Sequence, residues 1–239
     1  MAIFLKAKWE NIIMANYAVP AEVLQPFLPN GLSLDLYNEK AHVSLVGFMF
    51  SNTKLFNIPI PRLGTFEEIN LRFYVLREEG NTIKRGVVFV NETIPYKAVA
   101  WIANKLYREH YLAIPTKHSW AFTGSTKQIG YQWKINNGWN SIKVDASVAG
   151  DTMQANSFEE FIFEHYYGYT KINAATTEEY KINHPSWKIN QVFSTTINCD
   201  FGTMYGKPFE FLNTAEPASV FIAEGSAIEV EWKRSRLNL

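Results

Sequence analysis

The sequence FEEINLRFYVL, at residues 66–76, alternates apolar and polar side chains in the manner of a β-strand. One face of this strand is apolar and consists of Ile69, Leu71, Phe73 and Val75. The opposite face is polar and consists of Glu68, Asn70, Arg72 and Tyr74. A polar strand face is usually solvated, but a carboxylate, an amide, a guanidinium and a phenol in one row can also hold a small anion or carbonyl compound in a cavity. We therefore predict that Glu68, Asn70 and Arg72 form the polar wall of a ligand site.

Strand patterns flank this run on both sides and predict a mainly antiparallel sheet. The turn Glu79-Gly80-Asn81 leads from this strand to a second one at residues 83–90, and the two together have a hairpin pattern. The dipeptide Asn137-Gly138 separates two more short strands and is a strong hairpin signal. The other predicted strands lie at residues 41–50, 131–135, 139–144, 166–172, 179–183, 192–198, 218–223 and 227–233.

Three short segments carry helical signals. Residues 20–25 begin with a proline near the first helical position. Residues 96–108 place apolar side chains along one helix face, and Ser157 with Glu160 forms a capping box at the start of a third helix. Many antiparallel strands with few helices predict an α+β, mainly antiparallel β fold, built on a β-barrel or a strongly curved sheet. Because no linker interrupts the chain, we expect a single domain over residues 1–239.

The composition argues against several classes of protein. Lys plus Arg and Asp plus Glu each number 23, and the zero formal net charge argues against nucleic-acid binding. The single cysteine, Cys199, excludes an intrachain disulfide and a Cys-rich zinc site, and the 5 histidines have no metal-ligand spacing. No apolar run approaches the roughly 20 residues that span a bilayer, and the first residues do not form a signal peptide. We therefore expect a soluble, cytoplasmic protein with no membrane association, no metal and no cofactor.

Two further clusters contain groups that can carry out chemistry. They are FEHYY at residues 163–167 and HPSW at residues 184–187. Each also has a purely structural interpretation, the first as a helix end with packed tyrosines and the second as a proline turn with a buried tryptophan. Glu164 and His184 can act as an acid–base pair if they meet in one cavity. We therefore add Glu164, His184 and Trp187 to the predicted ligand site, with Glu164 or a bound anion as the expected partner of Arg72.

Several short motifs resemble, in their order and spacing, those of the YqjF-like proteins, a family of unknown function. The motifs include Val19-Pro20, Gly31-Leu32, Leu34-Asp35, Asn70-Leu71-Arg72, Gly86-Val87, residues 161–169, and His184-Pro185 with Trp187. The resemblance implies a fold similar to that of acetoacetate decarboxylase, a cone-shaped antiparallel β-barrel with a few peripheral helices and a central cavity. The family usually has an arginine in the 161–169 block where this chain has His165, which argues against a cation there at neutral pH.

The activity of the acetoacetate decarboxylases does not follow from this resemblance. Those enzymes use an adjacent lysine pair, in which a cationic neighbour lowers the pKa of one lysine so that it can form a Schiff base. This chain has no Lys-Lys pair, and Lys97 and Lys105, in the predicted helix of the corresponding region, have no adjacent cation. We therefore do not expect a Schiff-base decarboxylase.

The function that these observations favour is the binding of a small polar molecule, anionic or carbonyl-bearing, in a barrel cavity. Two alternatives stay open at this point. One is an enzyme, a lyase or hydrolase, that uses Glu, His and Arg side chains in the same cavity. The other is an interaction or assembly protein whose barrel is filled by its own aromatic side chains, which make up 15% of the chain. A homo-oligomer is compatible with all three.

Overall fold

The computed structural model describes residues 3–107 and 110–238, and within them fifteen β-strands belong to one mainly antiparallel sheet. The strands are β1 (Ile3–Val19), β2 (Ser33–Leu34), β3 (Ala41–Leu55), β4 (Ile58–Pro59), β5 (Phe66–Glu79), β6 (Thr82–Ile94), β7 (Tyr111–Ala113), β8 (Thr116–Thr123), β9 (Thr126–Ile135), β10 (Gly138–Thr152), β11 (Tyr167–Asn173), β12 (Thr176–Asn183), β13 (Lys188–Asn198), β14 (Ser219–Glu231) and β15 (Ser235–Asn238). The helices are α1 (Ala21–Leu24), α2 (Lys97–Tyr107), α3 (Phe158–Phe163) and α4 (Phe201–Tyr205), with 3-10 helices at Gln25–Phe27 and Lys207–Asn213.

Seven of these strands form a ring of paired neighbours, in the order β12-β11-β6-β5-β3-β1-β14. The ring closes because β12 also pairs with β14, where Ile182 lies opposite Val230 and Asn183 lies opposite Glu229. The strands β13, β10, β9 and β8 continue the sheet from β14 as a four-strand extension, and β15 continues it from β12.

The apolar face of β5 packs between the ring and its four-strand extension. Leu71 and Phe73 are fully buried, and they share one core cluster with Tyr131 and Trp133 of β9 and Val144 of β10. Burial of a large apolar side chain contributes roughly 1.5–3 kcal/mol, so this cluster holds the extension against the ring. The alternation predicted for β5 is confirmed, because its polar residues face away from this core.

The first strand of the sheet is absent from the sequence prediction. β1 pairs with both β3 and β14 and is central to the ring. Its register shifts between Glu10 and Ile13, where Asn11 adopts a positive φ of 50°. This bulge disrupts the regular alternation of side chains along the segment, and the alternation is the signal by which a strand is identified in a sequence.

Strand β14 is continuous where the sequence predicts two strands. The predicted break lies at Gly225, which pairs with Glu10 of β1 and has a φ of 80°. A Cβ atom at this position would lie 2.0 Å from the carbonyl oxygen of Trp9. The glycine therefore permits a close approach of two paired strands and does not form a turn.

The helix predictions are confirmed in their main features. The predicted helix at 96–108 is α2, and Arg108 lies outside the described residues. The capping box is present, because the Ser157 side chain accepts a hydrogen bond from the Glu160 N–H at 3.2 Å and the Glu160 carboxylate accepts one from the Asn156 N–H at 2.6 Å. Helix α4 and the 3-10 helix after it are not predicted from the sequence. None of the described helices has the length and apolar character needed to cross a membrane.

Candidate functional site

A cavity of about 200 Å³ is lined by side chains from the ring strands β1, β3, β5, β6, β12 and β14. Helix α2, strand β7 and the loop residues Ile60, Leu63 and Trp187 complete the lining. Most of the lining side chains are apolar, and many of these are aromatic. The charged and amide side chains in the lining are Glu68, Asn70, Arg72 and Glu92, which lie on the adjacent strands β5 and β6.

The Arg72 guanidinium is half-buried in this lining and is bonded only in part. Its Nη2 donates to the backbone carbonyl of Ile162 at 3.0 Å and lies 3.5 Å from the Met14 sulfur. Its Nε is buried and has no hydrogen-bond acceptor among the described residues. Within residues 3–107 and 110–238, no carboxylate oxygen lies within 4.0 Å of this guanidinium. The expectation of a direct ion pair between Glu164 and Arg72 is therefore wrong.

Glu68 and Asn70 lie on the same face of β5 as Arg72 and are bonded to each other. The Asn70 amide donates to Glu68 Oε1 at 3.0 Å, and the Tyr111 hydroxyl donates to Glu68 Oε2 at 3.4 Å. Asn70 is 2% exposed, and its Oδ1 accepts no hydrogen bond within the part of the chain that the structure describes. The lining therefore holds an unused acceptor on Asn70 and an unused donor on Arg72.

Glu92 and Tyr111 are members of the site that the sequence prediction missed. Glu92 pairs with Asn70 across β5 and β6 and is 3% exposed. Burial and the nearby carboxylates of Glu68 and Glu92 hold the pKa of Tyr111 well above its usual range. Tyr111 therefore keeps its proton at neutral pH and acts as a hydrogen-bond donor at this end of the cavity.

The structure brings Glu164, His184 and Trp187 together around Tyr166, next to the cavity. The His184 ring stacks on Trp187 with centroids 4.2 Å apart and on Tyr166 with centroids 4.7 Å apart, and the Tyr166 hydroxyl donates to Glu164. Of the three predicted residues, Trp187 lines the cavity, whereas Glu164 and His184 are absent from its lining. Burial lowers the pKa of His184, so its imidazole is neutral at neutral pH.

His165 lies outside the cavity lining and is held by Asp35. Its Nε2 lies 3.1 Å from Asp35 Oδ2, and the Arg85 Nε donates to the same oxygen at 2.6 Å. Burial lowers the pKa of His165 to about 4, although Asp35 acts in the opposite direction. His165 is therefore neutral at neutral pH.

No lysine contributes to the cavity lining in the described part of the chain. Lys97 and Lys105 of α2 are both exposed, and the Lys105 amine lies 5.2 Å from the centre of the Trp101 ring. Helix α2 instead presents Val99, Ile102 and Ala103 to the cavity. The lysines that the sequence offers for Schiff-base chemistry are thus on the outer side of the helix.

Comparison with known proteins identifies relatives of uncharacterised function. The family DUF2071, described as "Uncharacterized conserved protein", matches residues 6–227. The "Uncharacterized protein YqjF" of Bacillus subtilis (strain 168) is 35% identical over 72 residues, which make up 30% of this chain and 30% of that protein.

Solved structures with a similar fold belong to acetoacetate decarboxylase-like proteins. An acetoacetate decarboxylase-like enzyme from Sphingomonas wittichii RW1 has a TM-score of 0.66 at 11% identity, covering 100% of this chain and 94% of that one. The enduracididine biosynthesis enzyme MppR, complexed with pyruvate, has a TM-score of 0.65 at 10% identity over 100% and 92% of the two chains. Acetoacetate decarboxylase from Legionella pneumophila has a TM-score of 0.63 at 10% identity over 99% and 86%. At these identities the similarity concerns the fold alone.

Proposed function

Because the chain belongs to the DUF2071 family, whose description names no activity, and has an acetoacetate decarboxylase-like fold, we propose from its cavity that it binds a small anionic or carbonyl-bearing molecule. The resemblance to YqjF-like proteins is confirmed by the family match and by the Bacillus subtilis relative. We interpret the ring of seven strands as the wall of the cone-shaped barrel that this resemblance implies. In this proposal the polar row of β5 is the ligand-binding wall.

The observation that carries the proposal is the Arg72 guanidinium in a largely apolar cavity without a carboxylate partner among the described residues. A charge removed from water is costly unless it is paired or fully hydrogen-bonded, and the Ile162 carbonyl satisfies only one of its donors. A bound anion supplies both the missing charge and the missing acceptors, and an arginine binds a carboxylate in a bidentate geometry. The guanidinium is therefore the proposed anion-binding group.

The other polar atoms of the lining support a ligand with a second polar group. Asn70 Oδ1 has no hydrogen-bond donor among the described residues and is an acceptor for a hydroxyl group. MppR, with the same fold, is described as complexed with pyruvate, which carries a carboxylate and a carbonyl within one small molecule. Pyruvate is therefore a suitable probe for this cavity.

An enzyme is the second candidate, and Tyr111 is the observation that favours it. The Tyr111 hydroxyl lies 3.4 Å from Glu68 Oε2 and both side chains line the cavity, so a phenol and a carboxylate are available there as an acid–base pair. In this version Tyr111 and Glu68 exchange protons with the ligand in a lyase or hydrolase reaction. The third alternative, a barrel filled by its own aromatic side chains, is disfavoured by a cavity of about 200 Å³.

Ligand-observed NMR with acetate and pyruvate tests the proposal. Three proteins are compared, the wild type, Arg72→Met and Arg77→Met. Arg77 is a matched control because it lies on the same strand but pairs with Glu79 and Glu179 outside the cavity. We expect saturable binding of at least one anion to the wild type and to Arg77→Met, and at least tenfold weaker binding to Arg72→Met. Equal binding by all three proteins, or no saturable binding by any, would refute the proposal.

A further inference from the structure

Next to its charged groups, the cavity is lined by a continuous series of aromatic rings. Trp9 and Phe48 have ring centroids 5.2 Å apart, Phe48 and Phe50 are also 5.2 Å apart, and Phe50 stacks on Phe66 at 4.9 Å. All four rings line the cavity, and they come from β1, β3 and β5. A ligand as polar as acetate leaves this wall without an apolar partner.

Charged and apolar side chains both line the cavity. Arg72 supplies the cation and contacts Met14, and the aromatic series begins at Phe48, two residues along β3 from Val46, which pairs with Asn70. The removal of apolar surface from water is a favourable gain in binding, and the pairing of a cation with an anion is a second one. Both gains are available together only to a molecule with a charged end and an apolar body.

We infer that the ligand is a carboxylic acid with an apolar body, bound with its carboxylate at Arg72 and its body against the apolar lining that runs from Met14 and Val46 to Phe48. This inference rests on the proposed function, and it adds the class of molecule to it. It replaces the expectation of a wholly polar ligand, because polar groups make up only a small part of the lining.

The size of the cavity limits the apolar body to about one ring. An apolar cavity of about 150 Å³ accommodates benzene, whereas drug-sized ligands occupy about 300–1,000 Å³. At about 200 Å³ this cavity has room for one six-membered ring and a short acidic arm. An aryl or cyclohexyl acetic acid is of this size.

Three probes that differ by one feature each test the inference by calorimetry or ligand-observed NMR. Acetate carries the charge alone, phenylacetate adds the ring, and phenylacetamide keeps the ring without the charge. Each buried methylene strengthens binding roughly fourfold, so a buried ring should make phenylacetate at least about 30-fold tighter than acetate. We expect phenylacetamide to bind at least tenfold more weakly than phenylacetate in the wild type, and a similar affinity of both in Arg72→Met.

A second variant examines the apolar wall independently of Arg72. Val46 lines the cavity and is 1% exposed, and Val46→Phe places a ring in the space proposed for the ligand. We expect this variant to lose phenylacetate binding, with a thermal melt to establish that it is folded. If it does not fold, the comparison of the three probes on the wild type and Arg72→Met decides the question alone.

The possible outcomes separate this inference from the proposed function. If acetate and phenylacetate bind equally and both need Arg72, the inference is wrong and the proposed function stands. If phenylacetate and phenylacetamide bind equally, the carboxylate has no role and the inference is wrong. If none of the probes, pyruvate included, binds the wild type, both the inference and the proposed function are wrong.

Discussion

Replacement of Arg72 by methionine should leave the stability of the ligand-free protein almost unchanged. A buried arginine that pairs with a carboxylate costs about 3–5 kcal/mol when it is removed, because the carboxylate stays behind unpaired. Here no carboxylate lies within 4.0 Å of Arg72 among the described residues, so that penalty does not arise. Methionine also retains most of the apolar stem of the arginine.

The other contributions of Arg72→Met to the free energy of unfolding nearly cancel. The variant loses the hydrogen bond from Nη2 to the Ile162 carbonyl, which as a charge-assisted bond contributes about 1.5–3 kcal/mol. It also removes a half-buried charge whose Nε has no acceptor, and an unsatisfied buried group costs about 1–3 kcal/mol. We therefore expect Arg72→Met to change the free energy of unfolding by no more than about 1 kcal/mol. Arg72→Ala should cost about 1 kcal/mol more, because it also loses part of the stem.

Urea denaturation with a common m-value measures these differences, with Arg77→Met as the control. Arg77 pairs with Glu179 at 2.7 Å, and the Glu179 side chain is only 6% exposed. Removal of the Arg77 guanidinium should lower the free energy of unfolding by about 2 kcal/mol. This is less than is usual for a broken buried pair, because Lys84 stays bonded to Glu179 at 2.9 Å. A loss of 3 kcal/mol or more in Arg72→Met would mean that this residue neutralises a buried carboxylate, and our account of the site would be wrong.

Three further predictions follow from other parts of the structure. Because of His165, the protein should become less stable as the pH falls from about 6.5 towards 4, by up to about 1.4 kcal/mol per pH unit. The imidazole binds a proton in the unfolded state over this range, whereas the buried imidazole of the folded state, with its pKa of about 4, does not. A His165→Gln variant whose urea midpoint depends on pH as steeply as that of the wild type would contradict this. Gly225→Ala should lower the free energy of unfolding by more than about 2 kcal/mol, because the new Cβ would lie 2.0 Å from a backbone oxygen of β1. Gly80 has a similar positive φ and no atom within 4 Å of the Cβ position, so Gly80→Ala should cost about 1 kcal/mol. Equal melting temperatures of the two variants would show that the strands can separate locally. Borohydride treatment in the presence of acetoacetate should leave Lys97 and Lys105 unmodified, because both are exposed and outside the cavity lining; a reduced adduct on either lysine by mass spectrometry would restore the Schiff-base mechanism.

The sequence was sufficient to predict which face of β5 carries the polar row. Alternation with a period of two needs no knowledge of neighbouring strands, and Leu71 and Phe73 are fully buried on the face opposite Asn70 and Arg72. Whether that polar face meets solvent or a cavity depends on the closure of the ring between β12 and β14. That pairing joins residues 182 and 230, and no local pattern in the sequence encodes it.

The absence of Glu164 and His184 from the cavity lining has a similar cause. Their positions beside aromatic residues are visible in the sequence, and the structure brings them to one place around Tyr166. Tyr166 contacts both, because its hydroxyl donates to Glu164 and its ring stacks on His184, and the rings of His184 and Trp187 stack face to face. Trp187 is therefore the member of this group that reaches the cavity. Side-chain packing of this kind depends on the tertiary structure, and spacing along the chain does not determine it.

A single bulge explains why Glu92 could not be assigned to the site beforehand. The hairpin begins with Glu79 opposite Thr82, and an unbroken continuation of that register would place Asn70 opposite Asn91. The register instead shifts by one residue between Leu71 and Arg72, so Asn70 lies opposite Glu92. Residues opposite each other share a face, and the bulge therefore turns the Glu92 carboxylate towards the cavity and the Asn91 amide to the core face of Leu71, where it donates to the Met204 carbonyl at 2.9 Å. One extra residue in β6 thus decides whether an amide or a carboxylate faces the ligand, and the acidic character of this end of the cavity depends on it.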